Sequence, residues 1–521
     1  MNPQSNRLRA TIICCIVCLV LSGFPHDKIV QAAPVQGPSA IVNPILFVTQ
    51  VPIAADFTTI GSTFGNHLPL MNAVARGGDL WIRYPDGSLK NLTAAAGFGI
   101  ASGLQGGENA IAVRDPAVHW SGTKALFSMV MGGPTEQFDG RDQSSRWQIY
   151  EITGLGKNDT PVISKVPNQP TAFNNISPIY GSDERIIFTT DRPRDGSAHL
   201  YPQLDEYDMA ATVTGVWSLN PATGNLQLLN HAPSGDFTPI VDSYGRLIFT
   251  QWDHLQRDQQ ADADEDDSLG DNQCNNPGNR YGTFNYSNES ASATYTLGVR
   301  SEVFPEPRSC RQDLLPGTGL IGHDFNQFFP WMINQDGSEG EILNHLGRHE
   351  LHAFVPSAYD NDPNIIEYSG QLARFNANPI LNLFHIKEDP TVPGRYFGVD
   401  APEFDTHSAG SIVSLDAPPT VNADHIQVTY VTRRADANDP NQPGQFREPV
   451  PLSDGTLLAV HTADASIEEG SGGSDSSYEF RIKVLTKGSV ASAGTPLTTG
   501  ITKSVSYWSP DVLVSFTGCW N

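Results

Sequence analysis

The sequence predicts an all-β fold, and within that class a β-propeller, from three observations. Helical periodicity is scarce, and short runs rich in Val, Ile, Phe, Tyr and Thr alternate with Asp-Gly, Pro-Asp-Gly and Ser-Gly turns. One motif recurs: a Pro, a polar turn holding Gly or acidic residues, then an apolar strand ending in an aromatic or β-branched residue. Its first copies are evenly spaced, 62 residues from Pro116 to Pro178 and 61 from Pro178 to Pro239. A period near 60 residues holding about four short strands suits a propeller blade.

Along the chain, the N-terminal segment offers a strand at 45–51, a second at 80–84, an Asp86-Gly87 turn and a third strand at 89–92, without the motif. The first motif copy is Arg114-Asp115-Pro116, Ser121-Gly122 and Ala125-Leu126-Phe127; the second is Pro178, Ser182-Asp183-Glu184 and Ile186-Ile187-Phe188. The third is Pro239, 242–245 and Leu247-Ile248-Phe249, and a later one is Arg447-Glu448-Pro449, Ser453-Asp454-Gly455 and 457–460. Second hairpins follow at 147–152, at 216–229 around Ala222-Thr223-Gly224, and at 331–343 around Asp336-Gly337. The segment 504–516 supplies a last strand with no blade after it. Pairing that strand with the N-terminal ones would close a six-bladed ring without an open sheet edge. Seven blades, or a chain cut within a seventh repeat, is the alternative.

Residues 1–33 read as a secretory signal, with Arg7 and Arg9, an apolar run at 11–21, and small residues around Ala32 and Ala33. Residues 34–521 are then one propeller domain, interrupted by a polar Asp/Asn-rich stretch at 255–322 and a smaller one at 357–392. After signal removal no transmembrane span is expected, and the product is exported to a periplasmic or extracellular space. Three cysteines lie in the signal; in an oxidising compartment Cys274 and Cys310 of the remaining chain could close a loop, leaving Cys519 over. No Cys-x-x-Cys-His occurs, which excludes covalent attachment of a c-type haem. A formal charge of −25, from 57 acidic against 32 basic residues with no basic cluster, argues against nucleic acid as a partner.

Two constellations could hold metal. Asp262, Asp264, Asp266 and Asp271 place alternating carboxylates on a loop, a pattern suited to Ca2+, although Gly at the sixth and Glu at the twelfth position of a calcium loop are missing. His345, His349 and His352 stand at i, i+4 and i+7, which would align three imidazoles for a transition metal if the segment were helical. A solvated acidic loop and ordinary hydrogen-bonded histidines are the competing readings. Gly-x-Ser-x-Gly and phosphate-cradling Gly-rich motifs are absent. No catalytic or organic cofactor-binding residue is assigned. Most of the eight tryptophans are expected to pack between sheets, with ring stacking on a ligand the lesser alternative. Arg114-Asp115 and Arg447-Glu448 are expected to pair charges near the central channel or its rim.

The Pro, Ser-Asp-Gly and strand repeat resembles the WD40-like repeats of TolB-type propellers. The strings Thr190-Asp191-Arg192-Pro193, His199 to Tyr207, Phe249 to His254 and Asn344 to Glu350 are similar to bacterial exported proteins with the middle domain of the hydrazine synthase alpha subunit. In that enzyme the propeller is a middle domain and the haem-bearing regions lie outside it. The resemblance implies a propeller over most of the chain. The function expected is an exported binding or scaffold protein that takes a protein or small-molecule ligand on one ring face, with Ca2+ ordering the acidic stretch. The alternative is a metal-dependent enzyme, or a subunit of a haem-containing redox complex related to hydrazine synthase.

Overall fold

Turns that close on themselves set the strand spacing. In Tyr84 to Ser88 the Asp86 carboxylate accepts the Ser88 N–H at 3.0 Å, and Gly87 supplies a φ of 84°. The same aspartate-to-i+2 bond recurs at Asp183, Asp242, Asp336 and Asp454, so the repeated acidic turns of the sequence are the local device that reverses the chain. The computed structural model describes residues 41–50, 76–99, 108–133, 145–192, 215–230, 235–256, 325–343, 382–402, 406–421, 426–433, 443–467, 476, 478–493 and 503–514.

These residues form six antiparallel blades of a propeller in chain order, the fifth and sixth joined edge to edge into one eight-stranded sheet. Blade one holds β1 (Ile45–Val48), β2 (Leu80–Arg83) and β3 (Leu89–Asn91), followed by a single helical turn, α1 (Leu92–Ala95), capped by the Asn91 side chain. Blade two holds β4 (Ile111–Val118), β5 (Lys124–Met131), β6 (Gln148–Thr153) and β7 (Val162–Lys165). Blade three holds β8 (Asn175–Tyr180), β9 (Ile186–Thr190), β10 (Gly215–Leu219) and β11 (Leu226–Asn230). Blade four holds β12 (Asp236–Val241), β13 (Arg246–Gln256), β14 (Phe325–Asn334) and β15 (Glu341–Ile342). Blade five holds β16 (Leu383–Glu388), β17 (Arg395–Asp400), β18 (Ser411–Asp416) and β19 (Gln427–Tyr430). Blade six holds β20 (Gln445–Pro451), β21 (Leu457–Thr462), β22 (Arg481–Ala493) and β23 (Lys503–Val514). Of the stretch 357–392, the described end is thus mostly the first strand of blade five. Among the described residues no helix is long and apolar enough to cross a membrane.

The core sits between blades. Leu126 and Ile149 of blade two meet Phe188 and Trp217 of blade three, and Ile187 and Val216 meet Leu247 and Phe249 of blade four. Ile240 and Ile248 then face Leu383 and Val413 of blade five, while Ile412 faces Phe446 and Leu457 of blade six. Each such side chain, taken fully out of water, contributes roughly 1.5–3 kcal/mol.

Ring closure corrects the sequence-based expectation in one respect. Among the described residues the C-terminal strand does not pair with the N-terminal ones. β23 runs antiparallel to β22 and, over residues 503–505, parallel to β19, and blade one has three described strands. Side chains seal the joint: Ile41, Phe47 and Trp81 of the N-terminal side pack with Leu458 of β21, flanked by Leu452, Ile482 and Val484.

Candidate functional site: a polar ring on the propeller axis

The recurring prolines mark one structural event. In blades two to six the first strand bulges at the same place, with two residues opposite one on the second strand. The first bulge residue is Asp115, Ser177, Thr238, His385 or Glu448, with φ between 47° and 57° in every case. Four of the five precede a proline, and Thr238 is β-branched, so this left-handed backbone is strained and must be held by its surroundings. The residues opposite the bulges are Phe127, Phe188, Phe249, Gly398 and Ala459, and the three phenylalanines are essentially unexposed.

Blade five lacks the motif, because Ile386 stands where the others have proline and Gly398 where three have phenylalanine. The available signal was spacing. His385 precedes Glu448 by 63 residues, close to the 62 from Asp115 to Ser177.

The bulge residues reach from blade to blade. Asp115 Oδ2 accepts the Ser177 N–H at 3.1 Å, the Ser177 hydroxyl at 3.0 Å and Arg114 Nε at 2.8 Å. His385 Nδ1 lies 2.8 Å from Glu448 Oε1, within ion-pair distance but off the hydrogen-bonding direction. The Arg114–Asp115 pair expected from sequence is therefore present, and each acidic bulge residue also engages a neighbouring blade.

The Glu448 side chain is 42% exposed, so its carboxylate stays open to solvent beside the buried His385. Burial pushes its pKa up, but His385, Lys387 and Arg447 outweigh it and hold the carboxyl well below the usual range. Burial lowers the pKa of Arg447, opposed by Glu448 and Asp115 and aided by Arg114. The guanidinium sits 5.5 Å from the Phe480 ring, and its Nε has no hydrogen-bond partner.

Chemically, the ring combines carboxylate, hydroxyl, imidazole and guanidinium around one axis, a set suited to holding a polar ligand. Ser177 gives its hydroxyl proton to a carboxylate already neutralised by Arg114, so it is positioned rather than activated as a nucleophile. Among the described residues no group of three or more His, Cys, Asp or Glu is arranged to hold a metal. Asp262, Asp264, Asp266, Asp271, His345, His349 and His352 lie outside the described residues, as do Cys274, Cys310, Cys519 and the signal segment.

Two further carboxylates are each bonded by an asparagine, one just after β9 of blade three and one at the start of blade four. Asp191 takes the Asn174 N–H at 2.8 Å and Nδ2 at 2.7 Å. Burial raises its pKa to about 6 in spite of those bonds and the charge of Arg146. Asp236 at the start of β12 is unexposed, accepts from Asn230 Nδ2 at 2.9 Å, and is pushed well above the ordinary aspartate value by burial.

No protein-family model matches the chain, and no curated protein matches it in sequence. Among solved structures it is similar to the Kuenenia stuttgartiensis hydrazine synthase, at 13% identity and a TM-score of 0.43, covering 88% of this chain and 47% of that one. A puromycin hydrolase matches at 10% identity and a TM-score of 0.32 over 85% of this chain and 50% of that one. TolB from Acinetobacter baumannii matches at 12% identity and a TM-score of 0.20 over 51% and 50%. The chain thus spans about half the length of the hydrazine synthase and puromycin hydrolase chains. These likenesses are distant and carry no inference about activity.

Proposed function

We propose that this chain is an exported β-propeller binding protein that receives a polar ligand or a partner's polar group on its axis. The observation that carries the reading is the strained ring of Asp115, Ser177, Thr238, His385 and Glu448, maintained in five blades. Backbone strain kept at equivalent positions, with side chains of opposite charge converging on a channel, is the pattern of a site rather than of a packed core. The signal-like segment 1–33 supports export. Thermal-shift measurements with amino acids, amines and sugar acids, on wild type and on Glu448→Gln, test the axial site. Compounds that stabilise wild type should lose their effect in the variant, and compounds that act equally on both would remove the site from the axis.

Ca2+ binding by Asp262, Asp264, Asp266 and Asp271 belongs to the same reading, supported by their alternating carboxylates. The enzyme or redox-subunit alternative rests on the spacing of His345, His349 and His352. Metal analysis of the purified protein separates them. Calcium removable by chelator supports the first, and a stoichiometric transition metal lost in His349→Ala supports the second.

A further inference from the structure

Of the tryptophans whose side chains are described, Trp81, Trp147 and Trp217 are buried and Trp331 partly so, whereas Trp120 is 63% exposed. Trp120 borders a crevice of about 450 Å3 whose walls are Ala117 and Val118 of blade two, Ile179 and Tyr180 of blade three and Val241 of blade four. These wall residues follow the bulges directly. Ala117 comes two positions after Asp115, Ile179 two after Ser177 and Val241 three after Thr238, so this vestibule is walled by the same first strands that carry the polar ring.

The indole is held in place. Its ring lies 3.9 Å from that of His119 at 35°, and Tyr180 meets His119 edge-on at 4.7 Å and Trp120 at 6.1 Å. His119 Nδ1 accepts the Ser121 N–H at 3.1 Å, which leaves the proton on Nε2, facing Glu184 Oε1 at 3.1 Å. A buried, doubly anchored imidazole backs the indole and leaves much of it uncovered, so little ordering cost remains for a ligand.

The two hydroxyls at the rim already have partners. The Tyr180 hydroxyl donates to Glu151 at 2.9 Å, and Ser182 Oγ accepts from Gln335 Nε2 at 2.8 Å. A sugar placed there would leave its hydroxyls short of partners, whereas an aromatic ring needs only C–H walls and a π face. We infer that the vestibule is a stacking site for an aromatic ring, with Trp120 as the platform and His119 as its positioning residue. The inference rests on the channel being the binding axis and names the ligand chemistry at one mouth of it.

The test is calorimetric titration of the full chain with indole, Gly-Trp-Gly and methyl β-glucopyranoside. Trp120→Ala should weaken indole binding by about tenfold, and Trp120→Phe should stay within about threefold of wild type. The tighter of indole and Gly-Trp-Gly tells whether the ring comes free or on a peptide, and either result supports the site. Because Trp120 is exposed, its variants should keep the wild-type melting temperature. Indole binding unchanged in Trp120→Ala, or glucoside binding in place of indole, overturns the proposal. Loss of indole binding in Trp120→Ala while the polar compounds of the axial test still stabilise that variant places the aromatic site at the vestibule alone, so failure at the vestibule and failure at the polar ring are read from different ligands.

Discussion

Ser177 gives both its backbone N–H and its hydroxyl to a single oxygen of Asp115, although the two residues lie 62 positions apart in neighbouring blades. The same oxygen takes Arg114 Nε, so one carboxylate oxygen secures its own strand and the next. Two consecutive repeats are thereby joined at the innermost strands, where packing alone has few side chains to work with.

Asp115→Ala should destabilise the fold by about 3 kcal/mol, since it strips a largely buried arginine of a countercharge and leaves a Ser177 N–H unpaired. Asp115→Asn should cost less, because the amide oxygen can still accept from Ser177. Urea denaturation of both variants checks the order, and equal losses would mean that charge at this position is immaterial.

The depressed pKa of Glu448 has a definite sign in stability against pH. The folded value lies below the unfolded one, so the contribution is complete above about pH 5 and drains away as the pH falls through the unfolded value near 4.3 and below. The acid limb of the stability profile should therefore be shallower in Glu448→Gln than in wild type. A superimposable acid limb, measured as the urea midpoint from pH 5 to about pH 3, would contradict the assigned ion-pair environment.

Asp191 works in the opposite direction. Its folded pKa of about 6 lies above the unfolded aspartate value, so between those values the native state binds more protons and stability falls as pH rises. Asp191→Asn should remove that decline between about pH 4 and pH 6. Carbon-detected titration of the carboxyl itself would locate the midpoint directly.

The seam between blades six and one should be sensitive to a single core truncation. Leu458 is 3% exposed and packs with Phe47 and Trp81. Leu458→Ala should cost about 2–5 kcal/mol. Hydrogen exchange should quicken in β1 to β3 before it does in β8 to β11. Uniform quickening across the ring would show that the seam is not a separate weak point.

Much of the ring was legible in the sequence, and the reason is local. Arg114-Asp115-Pro116, Pro178, Pro239 and Arg447-Glu448-Pro449 stood out because proline confines the bulge and an aspartate turn follows it. His385 was hidden because Ile386 replaces the proline, and the bulge there is imposed by the strands around it. Trp120 looked like its buried counterparts because exposure is not written in residue type.

The sequence by itself determined the all-β character, the turn positions and the blade repeat, since alternation of side chains and reversal of the backbone are decided within a few residues. Only the tertiary structure decided which residues meet across blades, that the last described strand joins β19 and β22, and that the Trp120 indole stays uncovered. Those outcomes depend on the stacking angles of successive sheets around the axis, a sum over the whole ring that no short stretch of chain contains.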